Sequence, residues 1–158
     1  MSLDIQNIKI ISAEKKNENH KKWIWKIRNE NLDFNLITTK AISYENHSEW
    51  WENVFDKEYV YLIMNKNDIC GYIRLTKDQS STKEKNEISI AIAKQIQNIG
   101  IGSYAYKLFE NEMIKLGIKK IIAITHKNNN AGKNFFEKNK FEKKIIIEHN
   151  YIKYVKKL

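Results

Sequence analysis

Apolar residues recur at every third or fourth position in some stretches of the chain and at every second position in others, and the switches of period mark its elements. "KIIS" (9–12) reads as a first strand. "NHKKWIWKIRNENL" sets Trp23, Ile24 and Ile27 at helical spacing. "SYENHSEWWENVF" predicts a second helix, with Ser43 as its N-cap and Trp50, Val54 and Phe55 on or near one face. The period then drops to two. "YVYLIMN" (59–65), the polar turn "NKND" and "ICGYIRLT" (69–76) predict a hairpin, and "KDQSSTKEKN" reads as a solvated loop. "EISIAIA" (87–93) alternates strictly, with Ile88, Ile90 and Ile92 on one face and Glu87, Ser89, Ala91 and Ala93 on the other. Next, Ala105, Leu108, Phe109, Met113 and Leu116 form the stripe of a helix that Gly117 would end. "KKIIAIT" (119–125) is a strand, "NAGKNFFEKN" a short helix, and "FEKKIIIEH" with "YIKYVKKL" a closing hairpin.

This order predicts one domain over residues 1–158 of the α/β class, in the α+β mixed sense, with a sheet covered by helices on its faces. The strand at 87–93 and the strand at 119–125 are joined through a helix, which normally makes a parallel, right-handed crossover. The loop between them then lies at the carboxyl end of the first strand, where open sheets bind ligands. That loop, "QNIGIGSYAY", holds two of the chain's five glycines, Gly100 and Gly102. Glycine at a helix start lets backbone approach a ligand closely. Unpaired amides and the positive end of the helix dipole suit phosphate there, with donors from about Asn98 to Ser103. "GIGSYA" lacks the lysine of a nucleotide P-loop, and the third glycine and following acid of a dinucleotide fingerprint are missing.

Composition narrows the partners only slightly. The formal charge of +9 is almost all lysine and favours anionic ligands, either nucleic acid or a polyphosphate cofactor or nucleotide-linked substrate. No recognisable reading helix or aromatic RNA platform supports nucleic acid. The chain has no apolar run of about 20 residues, so no membrane span is expected. No secretory pattern opens it, and a cytoplasmic setting is the expectation. One cysteine, Cys70, excludes an intrachain disulfide and a cysteine-cluster metal site; its strand-like flanks suggest a buried thiol, and no metal is expected.

"QNIGIG" matches the Q/R-x-x-G-x-G/A signature, and "NNAGKNFFEKNKF" resembles N-x-x-(A/S)-x-x-x-Y/F-E-K-x-G-F after the next strand. Together they resemble the GCN5-related N-acetyltransferases (GNAT). Upstream, "KIRNENLDFNLITTKAISYENHSEWW", "GYIRL" and "NEISIAI" are similar to N-acetyltransferases of nucleotide-sugar pathways, notably pseudaminic acid synthesis. The likeness spans roughly residues 9 to 141.

The resemblance implies a mixed, mostly antiparallel twisted sheet of about six to seven strands, a parallel pair splayed around acetyl-CoA, and about four helices. The implied cofactor residues are Ile90, Ala91, Ile92 and Ala93 on the strand, Gln97, Asn98, Ile99, Gly100, Ile101, Gly102 and Ser103 in the loop, and Asn129 and Phe136 beyond. Glu87 and His126 are the candidate bases for an ammonium acceptor. Arg28, Asn29, His47 and Arg74 are the implied acceptor contacts, since arginine forks suit phosphate and carboxylate. Phe136 stands where the family usually has a tyrosine that protonates the departing thiolate; water, Tyr72, Tyr151 or Tyr154 could substitute. The acceptor is a small primary amine, with an amino-sugar nucleotide preferred over a peptide N-terminus, ribosomal protein or polyamine. A coenzyme A-binding module without turnover is the alternative. Either a monomer or a homodimer is expected.

Overall fold

The computed structural model describes residues 3–32, 40–148 and 150–158. Residues 33–39, within the upstream resemblance, and His149, in the closing hairpin, lie outside the described residues. β1 (Ile8–Ser12) leads into helices α1 (Glu18–Glu30) and α2 (Tyr44–Lys57). Asn17 caps α1 and Ser43 caps α2, each side chain accepting from an amide three residues on. The hairpin β2 (Glu58–Asn65) and β3 (Asp68–Thr76) follows, then β4 (Ile88–Ile92). Helix α3 (Ile101–Lys115), β5 (Lys120–His126), α4 (Asn130–Lys138), β6 (Glu142–Ile147) and β7 (Tyr151–Lys157) complete the order.

The strands form two antiparallel sheets, β1-β2-β3-β4 and β5-β7-β6. They meet at one parallel bridge, Glu87 to Ile122, reinforced by the Ile122 amide donating to the Asn86 carbonyl at 2.9 Å. Past that point β4 and β5 diverge. The expected parallel pair is therefore joined at one end and open at the other.

Packing explains the arrangement. Ile24 and Ile27 of α1 and Trp51 and Val54 of α2 are buried against Val60, Leu62, Tyr72 and Ala91 on one face of the first sheet. On the other face, Ile101, Ala105, Tyr106, Phe109 and Met113 of α3 pack with Ile63, Ile73, Ile88, Ile121 and Tyr154. Here the stripe read from the sequence changes: Tyr106 is fully buried, while Leu116 is 53% exposed. Leu116 is the C-cap of α3, where Gly117 at φ +80° turns the chain away. The Gly117 amide donates to Ile114 and the Ile118 amide to Met113, a Schellman closure in which Ile118 returns to the core.

The β2–β3 register contains one irregularity with consequences for the site. The turn sets Asn65 opposite Asp68 and Met64 opposite Ile69, but Ile63 pairs with Gly71, leaving Cys70 as the extra residue of a bulge. Cys70 is buried, and its carbonyl accepts from Ala93 at 2.8 Å. The shift by one residue brings Glu58 opposite Thr76 and puts Glu58 and Arg74 on the same face.

Candidate active site

Where β4 and β5 diverge, a crevice of about 1350 Å³ runs from the α1–α2 side to the start of α3. Pockets for single small ligands measure roughly 300–1,000 Å³, so this volume suits two reactants side by side. Its central wall is β4. The Glu87 carbonyl accepts from Thr76 and the Ala93 amide donates to Cys70, so odd-numbered residues of this segment turn their backbone groups toward β3. Antiparallel alternation then turns the amides of Ile90 and Ile92 the other way, toward the open edge. This edge is the natural track for an extended polar chain. On the strand's small face Ala91 is buried with Tyr72 and α1, while still contributing to the crevice wall.

At the carboxyl end of β4 the chain makes a short turn (Lys94–Ile96) and enters the glycine loop. Asn98 at φ +66° and Gly100 at φ +89° are both left-handed. Gly100 is the N-cap of α3 and provides no side-chain cap, so the first amides of the helix face outward with no internal acceptor. Left-handed residues alternating with ordinary ones turn successive amides to one side, an anion-binding concavity. Gly102 faces Phe135, whose ring would lie 3.2 Å from a Cβ at that position. A diphosphate at the loop and an amide-bearing arm along β4 thus fit the residues present.

Gln97 works differently from its neighbours. Its Nε2 donates to Asn31 Oδ1 and to the Ile92 carbonyl, each at 2.9 Å. Asn31, the buried C-cap of α1, also donates to the Ile92 carbonyl at 3.2 Å. The pair locks the end of α1, the end of β4 and the loop together. Ile101 is buried beneath this turn, Ser103 Oγ accepts from Asn139 at 3.1 Å, and Ile99 is 54% exposed. Neither Ile99 nor Ala93 lines the crevice. Asn129 caps α4 by accepting from the Gly132 amide at 2.9 Å, and lines the crevice with Phe136.

A second group of polar residues lines the other end. Arg74 Nη1 lies 2.8 Å from Glu58 Oε2, both side chains being buried. Lys83 reaches Glu58 at 3.3 Å and Ser89 Oγ at 3.1 Å. The "KDQSSTKEKN" segment is therefore not simply solvated: Thr76 Oγ1 donates to the Glu84 carbonyl, and Glu84 pairs with Lys153 at 2.7 Å. Burial pushes the Glu58 carboxyl up, but Arg74 and Lys83 outweigh it and hold Glu58 below its ordinary value. Lys83 is itself held low by burial and by Arg74, so Arg74 is the principal partner.

Arg28 is pushed down to about 10 by burial and by neighbouring Arg74, and stays cationic at neutral pH. Its guanidinium lies 4.3 Å from the centre of the Trp50 ring, with Arg74 at 5.0 Å from the same ring. His47 is fully buried behind it. Burial takes His47 down to about 4, so the ring is neutral: Nε2 donates to the Lys21 carbonyl at 2.7 Å and Nδ1 accepts from Arg28 at 3.1 Å. His47 thus positions Arg28 and does not reach the crevice. Asn29 exchanges two bonds with the Ile42 backbone, 3.1 and 2.8 Å, also away from the crevice.

Of the two candidate bases, only Glu87 lines the crevice. It is 5% exposed, and burial raises its carboxyl above the ordinary range although the Glu84 amide donates to it at 2.8 Å. His126 instead accepts from the Asn128 amide at 3.1 Å and stands edge-on to Tyr151, closing the turn after β5. Glu58, Lys83 and Asn31 went unread in the sequence, because each is brought to the site by tertiary register alone. Among the described residues no helix is long and apolar enough to cross a membrane.

The acetyltransferase (GNAT) family model matches residues 23–141, and the chain belongs to that family. The expected acyltransferase class and acetyl-CoA cofactor agree with this membership. Among solved structures, the chain resembles RimL, a ribosomal L7/L12 α-N-protein acetyltransferase in complex with coenzyme A, at TM-score 0.78 and 15% identity over 96% of this chain and 94% of that one. A Salmonella typhimurium acetyl transferase that modifies the N-terminal serine of the same ribosomal protein gives 0.79 and 15% over 99% and 98%. A domain from Methanocaldococcus jannaschii gives 0.78 and 22% over 96% and 98%. At these identities the likeness is one of fold. No curated protein sequence matches the chain.

Proposed function

We propose that this chain moves an acetyl group from acetyl-CoA to the primary amine of a small acceptor that also carries an anionic group, a nucleotide-linked amino sugar being the preferred form. The observation that carries this reading is the continuity of three features along one crevice. The uncapped amides from Asn98 to Ser103 hold the diphosphate, and the Ile90 and Ile92 amides line the arm's track. Arg28 and Arg74 over Trp50 take the acceptor's anion. When bound, the cofactor supplies an acetyl thioester, an acyl donor to amines. Preorganised donors such as the Ile90 or Ile92 amide contribute roughly 3 kcal/mol when aimed at a developing oxyanion. Glu87 takes the proton of the acceptor ammonium, directly or through one water. The Gln97–Asn31 lock and His47 are positioning groups for the two ends. A second reading, acetylation of a protein N-terminus, is favoured by three ribosomal-protein enzymes among the structural neighbours.

Two measurements test these statements. Thermal melting with acetyl-CoA at about 100 times its dissociation constant stabilises the chain by roughly 2.7 kcal/mol. No shift at millimolar cofactor overturns the reading. Thiol release is then measured with nucleotide-linked amino sugars, N-terminal peptides and polyamines. Activity confined to anionic amines supports the first acceptor class, and activity confined to peptides supports the second.

The loop itself yields a further expectation. Gly100→Ala meets only ordinary contact, Ile5 Cδ1 at 3.4 Å, but places a side chain on φ +89°. The strain is about 1–2 kcal/mol. Acetyl-CoA affinity should fall by roughly 5- to 30-fold as the loop relaxes, measured by calorimetric titration.

A further inference from the structure

We propose that Lys83 is an internal acceptor: with acetyl-CoA bound and no amine substrate present, its side-chain amine takes the acetyl group, and the chain modifies itself at this one lysine. The inference rests on the acetyl-transfer reading above.

Lys83 lies in the segment between β3 and β4, and that segment is fastened around it. The Lys83 amide donates to Ser80 Oγ at 3.0 Å, and its carbonyl accepts from the Ser80 amide at 2.8 Å. The next residue, Glu84, is tied to Lys153 of the second sheet at 2.7 Å, and its amide donates to Glu87 at 2.8 Å. Between these ties the Lys83 side chain lines the crevice and is only 19% exposed. Among the described residues two other lysines line it, Lys57 and Lys138, and both are exposed at the last positions of α2 and α4.

The Lys83 nitrogen stands 3.1 Å from Ser89 Oγ. Ser89 directly precedes Ile90, whose amide faces the open edge of β4. Four bonds join Ser89 Oγ to the Ile90 nitrogen, a reach of about 4 Å, so the lysine nitrogen lies within about 7 Å of an amide that would polarise the thioester. Rotation about the four-carbon stem covers the remainder. The stem is free to turn because Lys83 is the looser partner of Glu58, at 3.3 Å, whereas Arg74 holds the same carboxylate at 2.8 Å. Glu87, the base of the proposed reaction, is among the carboxylates acting on this amine. Burial and the neighbouring Arg74 hold the amine below the ordinary lysine range, which favours the neutral form that attacks a carbonyl.

The step balances. The lysine ammonium gives one proton to Glu87, the freed nitrogen forms its bond to the carbonyl carbon, the carbon–sulfur bond breaks, and its electron pair leaves on sulfur. A second proton, lost from nitrogen as the amide forms, ends on that sulfur. The products are the lysine acetamide, coenzyme A thiol and one proton passed from Glu87 to solvent. The acetylated side chain has no charge and lies at the end of the crevice that the acceptor needs, so it competes with the amine substrate.

Mass spectrometry of the protein incubated with acetyl-CoA and no amine tests the assignment. The chain should exceed its sequence mass by one acetyl group, gained at a rate per chain independent of protein concentration. Peptide mapping should place that group on Lys83, at least about tenfold ahead of Lys57, Lys138 and the 72%-exposed Lys115, which report uncatalysed acetylation. Lys83→Arg keeps a cation beside Glu58 but offers no acceptor amine, and should gain none. Glu87→Gln should slow the gain roughly 100-fold. Acetylation spread evenly over Lys83 and the exposed lysines, a rate that rises with protein concentration, an undiminished gain in either variant, or no gain while the acetyl-CoA melting shift persists overturns the internal acceptor. Loss of the melting shift in wild type overturns the cofactor reading instead, and the internal acceptor with it.

Discussion

Glu58→Met should cost the protein about 3 kcal/mol, the largest stability loss expected from any single substitution at this site. Glu58 accepts from Arg74 at 2.8 Å and Lys83 at 3.3 Å within a buried cluster. Removing the carboxylate leaves the buried Arg74 beside Arg28 without its ion-pair partner, and an uncompensated buried charge is far more costly than a missing pair. For a chain of this size the melting temperature falls by about 6–12 °C. The partner experiment is Glu58→Met with Arg74→Met. It removes both ends of the closer pair, and Lys83 has a flexible stem that can carry its charge outward. The double variant should therefore lose much less than the sum of the single losses. Additive losses in the four-member cycle would show that the pair is not coupled.

The same pair has a pH signature. Glu58 is held below its ordinary value in the folded chain, because Arg74 and Lys83 outweigh the effect of burial. Its contribution is therefore present above the unfolded value of about 4.3 and is lost as pH falls through the depressed folded value. Urea unfolding in wild type should show stability declining over that acid window, and the decline should be shallower in Glu58→Met.

Why this cluster escaped sequence reading is a matter of register. The turn pairs Asn65 with Asp68, and that pairing continued without interruption would set Glu58 against Leu75, on the opposite face from Arg74. Only the bulge at Cys70 corrects it, and no alternation of apolar residues announces an extra residue in a strand whose two faces are both buried. Where one face is distinct, the sequence is readable. Ser43 before an apolar period, Gly117 after one, and the alternation of "EISIAIA" each map onto the structure within a residue or two. The glycine loop was legible for the same reason: backbone needs declare themselves through residue type. His47, Asn29 and Gln97 were not, because a polar side chain near a site can face the ligand or fasten its neighbours. His47 holds Arg28, Asn29 holds Ile42, and Gln97 holds Asn31.

Glu87→Gln should lower kcat by roughly 10²- to 10³-fold while leaving the fold at least as stable as wild type at neutral pH. Both halves follow from the position of one carboxyl. Glu87 is buried, and burial raises it above the ordinary range. A carboxyl whose folded value is raised favours the native state below its unfolded value, and that contribution is lost as pH rises through the folded one. At neutral pH the ionised group is thus a burden on the fold. The glutamine amide removes the charge, and its oxygen keeps the acceptor role for the Glu84 amide at 2.8 Å. Glutamine cannot take a proton from an ammonium, so activity falls where stability does not. The pH dependence separates this role from a structural one. In wild type, kcat/KM should rise with pH through an acid limb centred above the ordinary glutamate value, since the base works only when ionised. The variant's residual activity should lack that limb. A variant that keeps the limb, or loses stability in step with activity, would assign Glu87 to the scaffold and give the proton to solvent.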